Sequence, residues 1–166
     1  NIHSKLNMWE HDISNQVSGH VIVVCPQEIF LSIVLQLRKN TNKPVFIFSE
    51  EHPGNFIKEI NNSGIKDIYY VEGNYLNIEH LKRVGIAVAS NVLIFHGMDA
   101  INVDGSSTCL LANIIDEFFC WVPYTLEVLD PYELRFLNKK PKEVFKKLGF
   151  QFYPNYRIVC NLYITT

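Results

Sequence analysis

No stretch of the chain approaches the roughly 20 consecutive apolar residues of a bilayer-spanning helix, so no helical membrane span is expected in it. A secretory signal, with its basic start, apolar middle and small-residue cleavage site, is also missing. Charge of one sign is not in excess: 15 basic against 17 acidic residues give a net charge of −2, which speaks against a dedicated nucleic-acid surface. Cysteine is sparse, and Cys25, Cys109, Cys120 and Cys160 form neither a CxxC pair nor a zinc spacing. Cys25 and Cys109 fall in or beside apolar segments, where buried free thiols and a reducing compartment are the expected reading. The sequon Asn61-Asn62-Ser63 would go unused there.

What is present is apolar surface. Hydrophobic residues make up 48% and aromatics 13% of the 166 residues, which excludes a disordered chain and suffices for one domain with a substantial core. The chain starts at Asn1 without a methionine and stops within the apolar stretch 156–164, so both ends read as cuts in a longer polypeptide.

Element order is the strongest signal. Val21-Ile22-Val23-Val24-Cys25 is a β-branched run without polar alternation, as in a strand buried on both faces. Phe30, Ile33, Val34 and Leu37 then recur at helical spacing. Further strands are expected at Val45–Phe48, Ile68–Val71, Val92–Phe95 and Tyr124–Leu129. Between them, Phe56, Ile57 and Ile60 make one helical stripe ending at Gly64, and Asn77 can cap a short helix bearing Ile78, Leu81 and Val84. Leu110, Leu111, Ile114, Ile115 and Phe118 form the apolar side of a last helix. Strand and helix alternating in this way predict an α/β fold, a Rossmann-like doubly wound parallel sheet. The rhythm breaks near Asp130. The chain therefore divides into a lead-in (residues 1–18), a Rossmann-like domain (19–130) and a C-terminal extension (131–166).

The glycine loop of such a fold is absent. In a dinucleotide-binding domain the first strand runs into GxGxxG, whose glycines let the backbone approach a pyrophosphate seated on the helix N-terminus. Here the turn is Cys25-Pro26-Gln27-Glu28-Ile29-Phe30. Pro26 removes an N–H donor from the cradle, and Glu28 sets a negative charge where phosphates would lie. Pyrophosphate binding in the usual manner is not expected.

Other residues at the expected carboxyl edge of the sheet are ligand candidates. Glu50 and Glu51 follow the second strand, where nucleotide binders place a ribose-binding carboxylate; a solvated turn leading into a helix is the simpler reading. Cys25, His96 and Asp99 can meet at the ends of the first and fourth strands as a thiolate–imidazole nucleophile or small metal site, against the plain alternative of a buried thiol beside loop residues. Glu28, Asp99 and Asp104 offer oxygen ligands at the same edge, although Asp104-Gly105-Ser106 equally reads as a turn and helix cap. The lysines of residues 139–147 suit a solvated face better than an anionic lipid or phosphate. The aromatic residues Phe150, Phe152, Tyr153, Tyr156 and Tyr163 suit either burial on the same domain or a contact with another. No catalytic residue, cofactor or metal site is assigned.

Several segments carry a family resemblance. Ser18-Gly19-His20-Val21-Ile22-Val23-Val24-Cys25 resembles the opening of an RCK domain, the regulator of potassium conductance, in Slo-type (BK) channels. Met8-Trp9 is similar to the lead-in of that family's second RCK domain. Gly73-Asn74-Tyr75-Leu76-Asn77, Leu81-Lys82-Arg83-Val84, Ile86, Ala89 and Leu93-Ile94 resemble its third-to-fourth-strand block. The likeness runs over residues 8–129 and more weakly beyond.

The resemblance implies a non-enzymatic, soluble cytosolic domain of a calcium-activated potassium channel. Its partners would be the other RCK domains of a gating ring and the pore domain, with no nucleic acid. The family's second domain often carries an acidic calcium bowl after its fifth strand. The matching segment here, Phe136–Glu143, has Lys139, Lys140 and Lys142 around a lone Glu143, whereas calcium takes about 6–8 oxygen ligands, several of them carboxylates. A bowl-type site is not expected there. The alternatives are a nucleotide- or metabolite-binding oxidoreductase relative with an unusual phosphate loop, and a pure interaction scaffold.

Overall fold

The computed structural model describes residues 16–96, 106–128, 131–139 and 162–165. Its centre is β1 (Val21–Val24), whose four side chains are all buried. Branched Cβ atoms stiffen such a run into extended backbone, and full burial requires cover on both faces of the sheet.

That cover follows from alternation along the strands. Ile22, Val24, Phe46, Phe48, Val92, Ile94 and Leu126 face one side, where Leu81, Leu111 and Ile115 close the core. Val21, Val23, Val45, Ile47 and Leu93 face the other, against Phe30, Ile33, Val34, Leu37, Phe56 and Ile60. The first group of helical residues belongs to α3 (Ile78–Arg83) and α4 (Ser106–Phe118), the second to α1 (Phe30–Asn40) and α2 (Phe56–Ser63). The other strands are β2 (Val45–Ser49), β3 (Ile68–Glu72), β4 (Asn91–Ile94), β5 (Tyr124–Val128) and β6 (Leu162–Thr165). Their order is β3-β2-β1-β4-β5-β6; the first five run parallel and β6 is antiparallel to β5. The doubly wound sheet expected from the sequence is present.

Local chemistry fixes the element ends. Asn77 caps α3, its Oδ1 accepting from the N–H groups of Glu79 (2.9 Å) and His80 (3.2 Å). Gly64 ends α2 at φ 75°, a left-handed conformation that glycine adopts at no steric cost. Arg38, in the last turn of α1, donates to the carbonyls of Thr41 (2.6 Å), Lys43 (2.8 Å) and Asp67 (3.2 Å). One guanidinium thus ties the α1–β2 and α2–β3 connections together.

The Gly19-His20 opening has a structural role. Gly19, at φ +74°, donates its N–H to the Val88 carbonyl at 2.8 Å. His20 is fully buried and donates from Nε2 to the Val84 carbonyl at 2.9 Å, while its own carbonyl accepts from the Ser90 N–H at 2.8 Å. The start of β1 is therefore pinned to the α3–β4 connection. Burial lowers the His20 pKa, partly opposed by the Val84 bond, so the ring is held neutral and the hydrogen sits on Nε2.

One finding departs from the sequence expectation. The apolar side of α4 is narrower than its residues suggest: Leu111 and Ile115 are buried with Cys109 and Ala112, whereas Leu110 and Phe118 are exposed. Described parts of the segment after residue 130 pack on the domain. A 3-10 turn (Pro131–Phe136) packs on α4, and β6 adds an edge strand to the sheet.

Candidate functional site

The strand order reverses between β1 and β4, so the crevice outside their carboxyl ends is where this architecture places ligands. The turn after β1 is built without glycine. Pro26 is extended (φ −64°, ψ 149°), and the 3-10 turn Gln27–Ile29 follows where a glycine loop would open. Gln27 reaches across to the end of β2 and donates from Nε2 to the His52 carbonyl at 3.3 Å. Gly54, at φ +59°, lies beneath it: a Cβ there would stand 2.9 Å from the Gln27 Nε2. Tyr70 of β3 donates its hydroxyl to the Glu51 carbonyl, and the Glu51 N–H donates to the Ser49 Oγ at 3.1 Å. The β2 turn is thereby held against the β1 turn. Burial pushes the Tyr70 phenol up to about 12, so it stays a donor at any physiological pH.

The candidate carboxylates divide. Glu28 and Glu51 are exposed, yet both act electrostatically on Cys25 at the end of β1, so the fold brings them to one edge. Glu50, also exposed, is felt instead by Tyr75 and His80 at the end of β3 and in α3. Asp99 and Asp104 lie outside the described residues. So do Lys140, Lys142, Glu143 and the aromatic residues from Phe150 to Tyr156. Among the described residues, no group of three or more His, Cys, Asp or Glu is arranged to hold a metal ion.

Cys25 and His96 do end up at neighbouring strand ends, with Val24 of β1 in register with Ile94 of β4. They do not make a nucleophile. Burial raises the Cys25 thiol well above its ordinary value, and the charges of Glu127, Glu28 and Glu51 raise it further. A reactive thiolate needs an electropositive, accessible site. In native protein treated with iodoacetamide at neutral pH, the exposed Cys120 should be alkylated at least about tenfold faster than Cys25 or Cys109, as read by peptide mass spectrometry. Comparable labelling of Cys25 without unfolding would refute the assignment.

Sequence reasoning missed two acidic residues at this edge. Glu127 of β5 is 2% exposed and Glu133 of the 131–136 turn is 3% exposed. Glu127 Oε1 accepts the His96 backbone N–H at 3.0 Å, and the His96 Nδ1 lies 3.1 Å from Glu133 Oε1. The signal available was a single carboxylate in the apolar run 124–129; nothing local marks Glu133.

Known proteins place this geometry. Residues 16–119, well over half of the chain, match the family described as the calcium-activated potassium channel slowpoke-like RCK domain. The chain is similar in fold to the TrkA-N domain of the inner membrane protein ybaL from Escherichia coli, at 12% identity and a TM-score of 0.55, over 73% of this chain and 81% of that one. It is also similar to the GsuK RCK domain, at 14% identity and a TM-score of 0.53, over 74% of this chain and 24% of that one. A structure of the GsuK channel bound to NAD aligns at 14% identity and a TM-score of 0.54, over 78% of this chain and 22% of that one. No curated protein matches the chain.

Proposed function

The chain belongs to the calcium-activated potassium channel slowpoke-like RCK domain family, and from that premise we propose that it is a non-enzymatic gating domain that couples ligand binding or domain packing to the opening of a potassium pore. The observation that carries this reading is the glycine-free turn after β1. Pro26, Gln27 and the β2 turn occupy the place of a phosphate loop, so the domain works through its packing. Its partners are other RCK domains, assembled as a gating ring on the cytoplasmic side of the channel, and the pore domain that the ring pulls on. No helix among the described residues is long and apolar enough to cross a membrane, which suits a domain outside the pore. Likeness of Met8-Trp9 to the lead-in of the family's second RCK domain supports that place in the subunit. Differential contacts in two arrangements of the ring are what shift such an equilibrium.

The test is electrical. Recorded from the channel that carries this domain, Phe46→Ala should change open probability at unchanged single-channel conductance. Unaltered open probability, with the domain shown to be unfolded, would overturn the coupling.

A second reading rests on the NAD-bound GsuK channel among the similar structures. On that reading the domain takes a nucleotide at the same edge despite its missing glycines. Titration with nucleotides separates the two.

A further inference from the structure

The chain enters the domain at the amino edge of the sheet, and an apolar surface stands beside that entry. Val17 packs on the core, and two residues on the Gly19 N–H donates to the Val88 carbonyl at 2.8 Å. One residue back from Val88, the Ala87 carbonyl accepts from the Trp121 Nε1 at 2.8 Å. Gly19 and the Trp121 indole are therefore within about 10 Å of each other, two hydrogen bonds and one peptide step apart.

Trp121 is held in place without being covered. Its Nε1 is bonded and its ring meets Phe119 edge-on at 6.1 Å, yet the residue is 62% exposed. Val88 is 39% exposed, and Ala87 between them is exposed as well. An indole whose N–H already has its acceptor offers only apolar surface to a further contact, and positioned tryptophans of this kind are the usual anchors of interfaces. The patch is small. Three residues cannot supply the roughly 800 Å² per partner that a stable dimer buries. A segment tethered beside the patch needs far less, because the link holds it at an effective concentration of about millimolar.

Such a segment is at hand. Residues 1–15, outside the described ones, run into Gln16 directly before Val17 and carry Ile2, Leu6, Met8, Trp9 and Ile13. At no more than about 3.6 Å per residue, Ile13 stays within about 22 Å of Gly19 and Met8 within about 40 Å, so both can reach Trp121. Charge agrees with this pairing: Glu10 and Asp12 belong to the lead-in, and the last turn of α3, which leads into the patch, carries Lys82 and Arg83.

We propose that the lead-in, residues 1–15, returns over the amino edge and docks its apolar side chains around Met8 and Ile13 on Trp121 and Val88. Docked there, the lead-in is fastened to the α3–β4 connection as well as through the backbone at Gly19. Tension along it then reaches β4 as well as β1.

Tryptophan fluorescence of the full 166-residue chain tests this, because Trp9 and Trp121 are its only indoles. In Trp9→Phe the emission comes from Trp121 alone. Acrylamide quenching of that variant should rise at least about threefold when Met8→Asp and Ile13→Asp are added, the ratio expected if about two-thirds of the molecules are docked. Trypsin cleavage after Lys5 reads the same contact from the other side, and should be at least about threefold faster in Val88→Asp than in the native chain. Equal quenching with and without the two aspartates would overturn the proposal: uniformly high, it means an uncovered ring, and uniformly low, a ring covered by something else. Cleavage unchanged in Val88→Asp would overturn it too, as would shielding lost on dilution, which assigns the cover to a second copy. Circular dichroism on each variant establishes that the sheet is intact.

Discussion

Replacing Phe46 by alanine is expected to remove about 3–5 kcal/mol of stability, seen in urea as a lower midpoint at unchanged slope. Phe46 is 1% exposed in β2, in register between Ile22 of β1 and Tyr69 of β3. Its ring meets the edge of His20 at 5.0 Å and stacks on Tyr69 at 4.7 Å. Truncation loses the buried ring, leaves a cavity, and forfeits two aromatic contacts worth about 0.5–1.5 kcal/mol each in other proteins. A domain of this size has only about 5–15 kcal/mol in total, so the change approaches unfolding. Phe46→Leu, which keeps most of the volume, should cost less than half as much. A loss below about 1 kcal/mol for the alanine would mean that the column His20–Phe46–Tyr69 does not hold this side of the sheet.

The second large effect is expected at Asn113→Ala. Asn113 is 9% exposed in α4, and its side chain is the bracket for the segment after β5. Its Nδ2 donates to the Phe136 carbonyl at 2.9 Å, and its Oδ1 accepts from the Asn138 N–H at 2.9 Å. Leu134, Phe136 and Leu137 pack on the core behind these bonds. Losing both leaves two partly buried backbone groups unpaired, at about 2–3 kcal/mol in sum. That corresponds to a fall of about 5–10 °C in Tm for a chain of this length. Asn113→Asp keeps the acceptor and loses the donor, and should cost an intermediate amount. An unchanged Tm in Asn113→Ala would show that residues 134–138 are not fastened to the domain through this side chain.

Much of this fold was legible because its signals are local. The run Val21–Val24 can only be a strand buried on both faces, the Asn77 cap depends on the next few residues, and Gly64 marks its own helix end. The site was legible mainly as an absence: proline and glutamate where glycines are needed. What escaped depends on long-range contacts. Glu127 and Glu133 both meet His96, which follows a different strand, and no spacing in the sequence encodes that meeting. Gln27 reaches the β2 turn through His52, 25 residues away. Leu110 and Phe118 misled because helical period reports apolarity on a face, not whether a partner covers it. Arg38 reads as a solvated helix end, and its role appears only when the carbonyls of residues 41, 43 and 67 converge on it.

The glycine-free turn after β1 is the feature on which the functional reading turns, and calorimetric titration of the 166-residue chain with NAD, NADP, ADP and ATP tests it most directly. Pro26 withholds a donor, Gln27 ties this turn to the β2 turn, and Glu28 and Glu51 set negative charge at the same edge. The account predicts no binding heat for any of the four at concentrations up to about 1 mM, which corresponds to less than about 4 kcal/mol of affinity. Micromolar binding of any of them, lost on blocking the crevice at the end of β1, would contradict it.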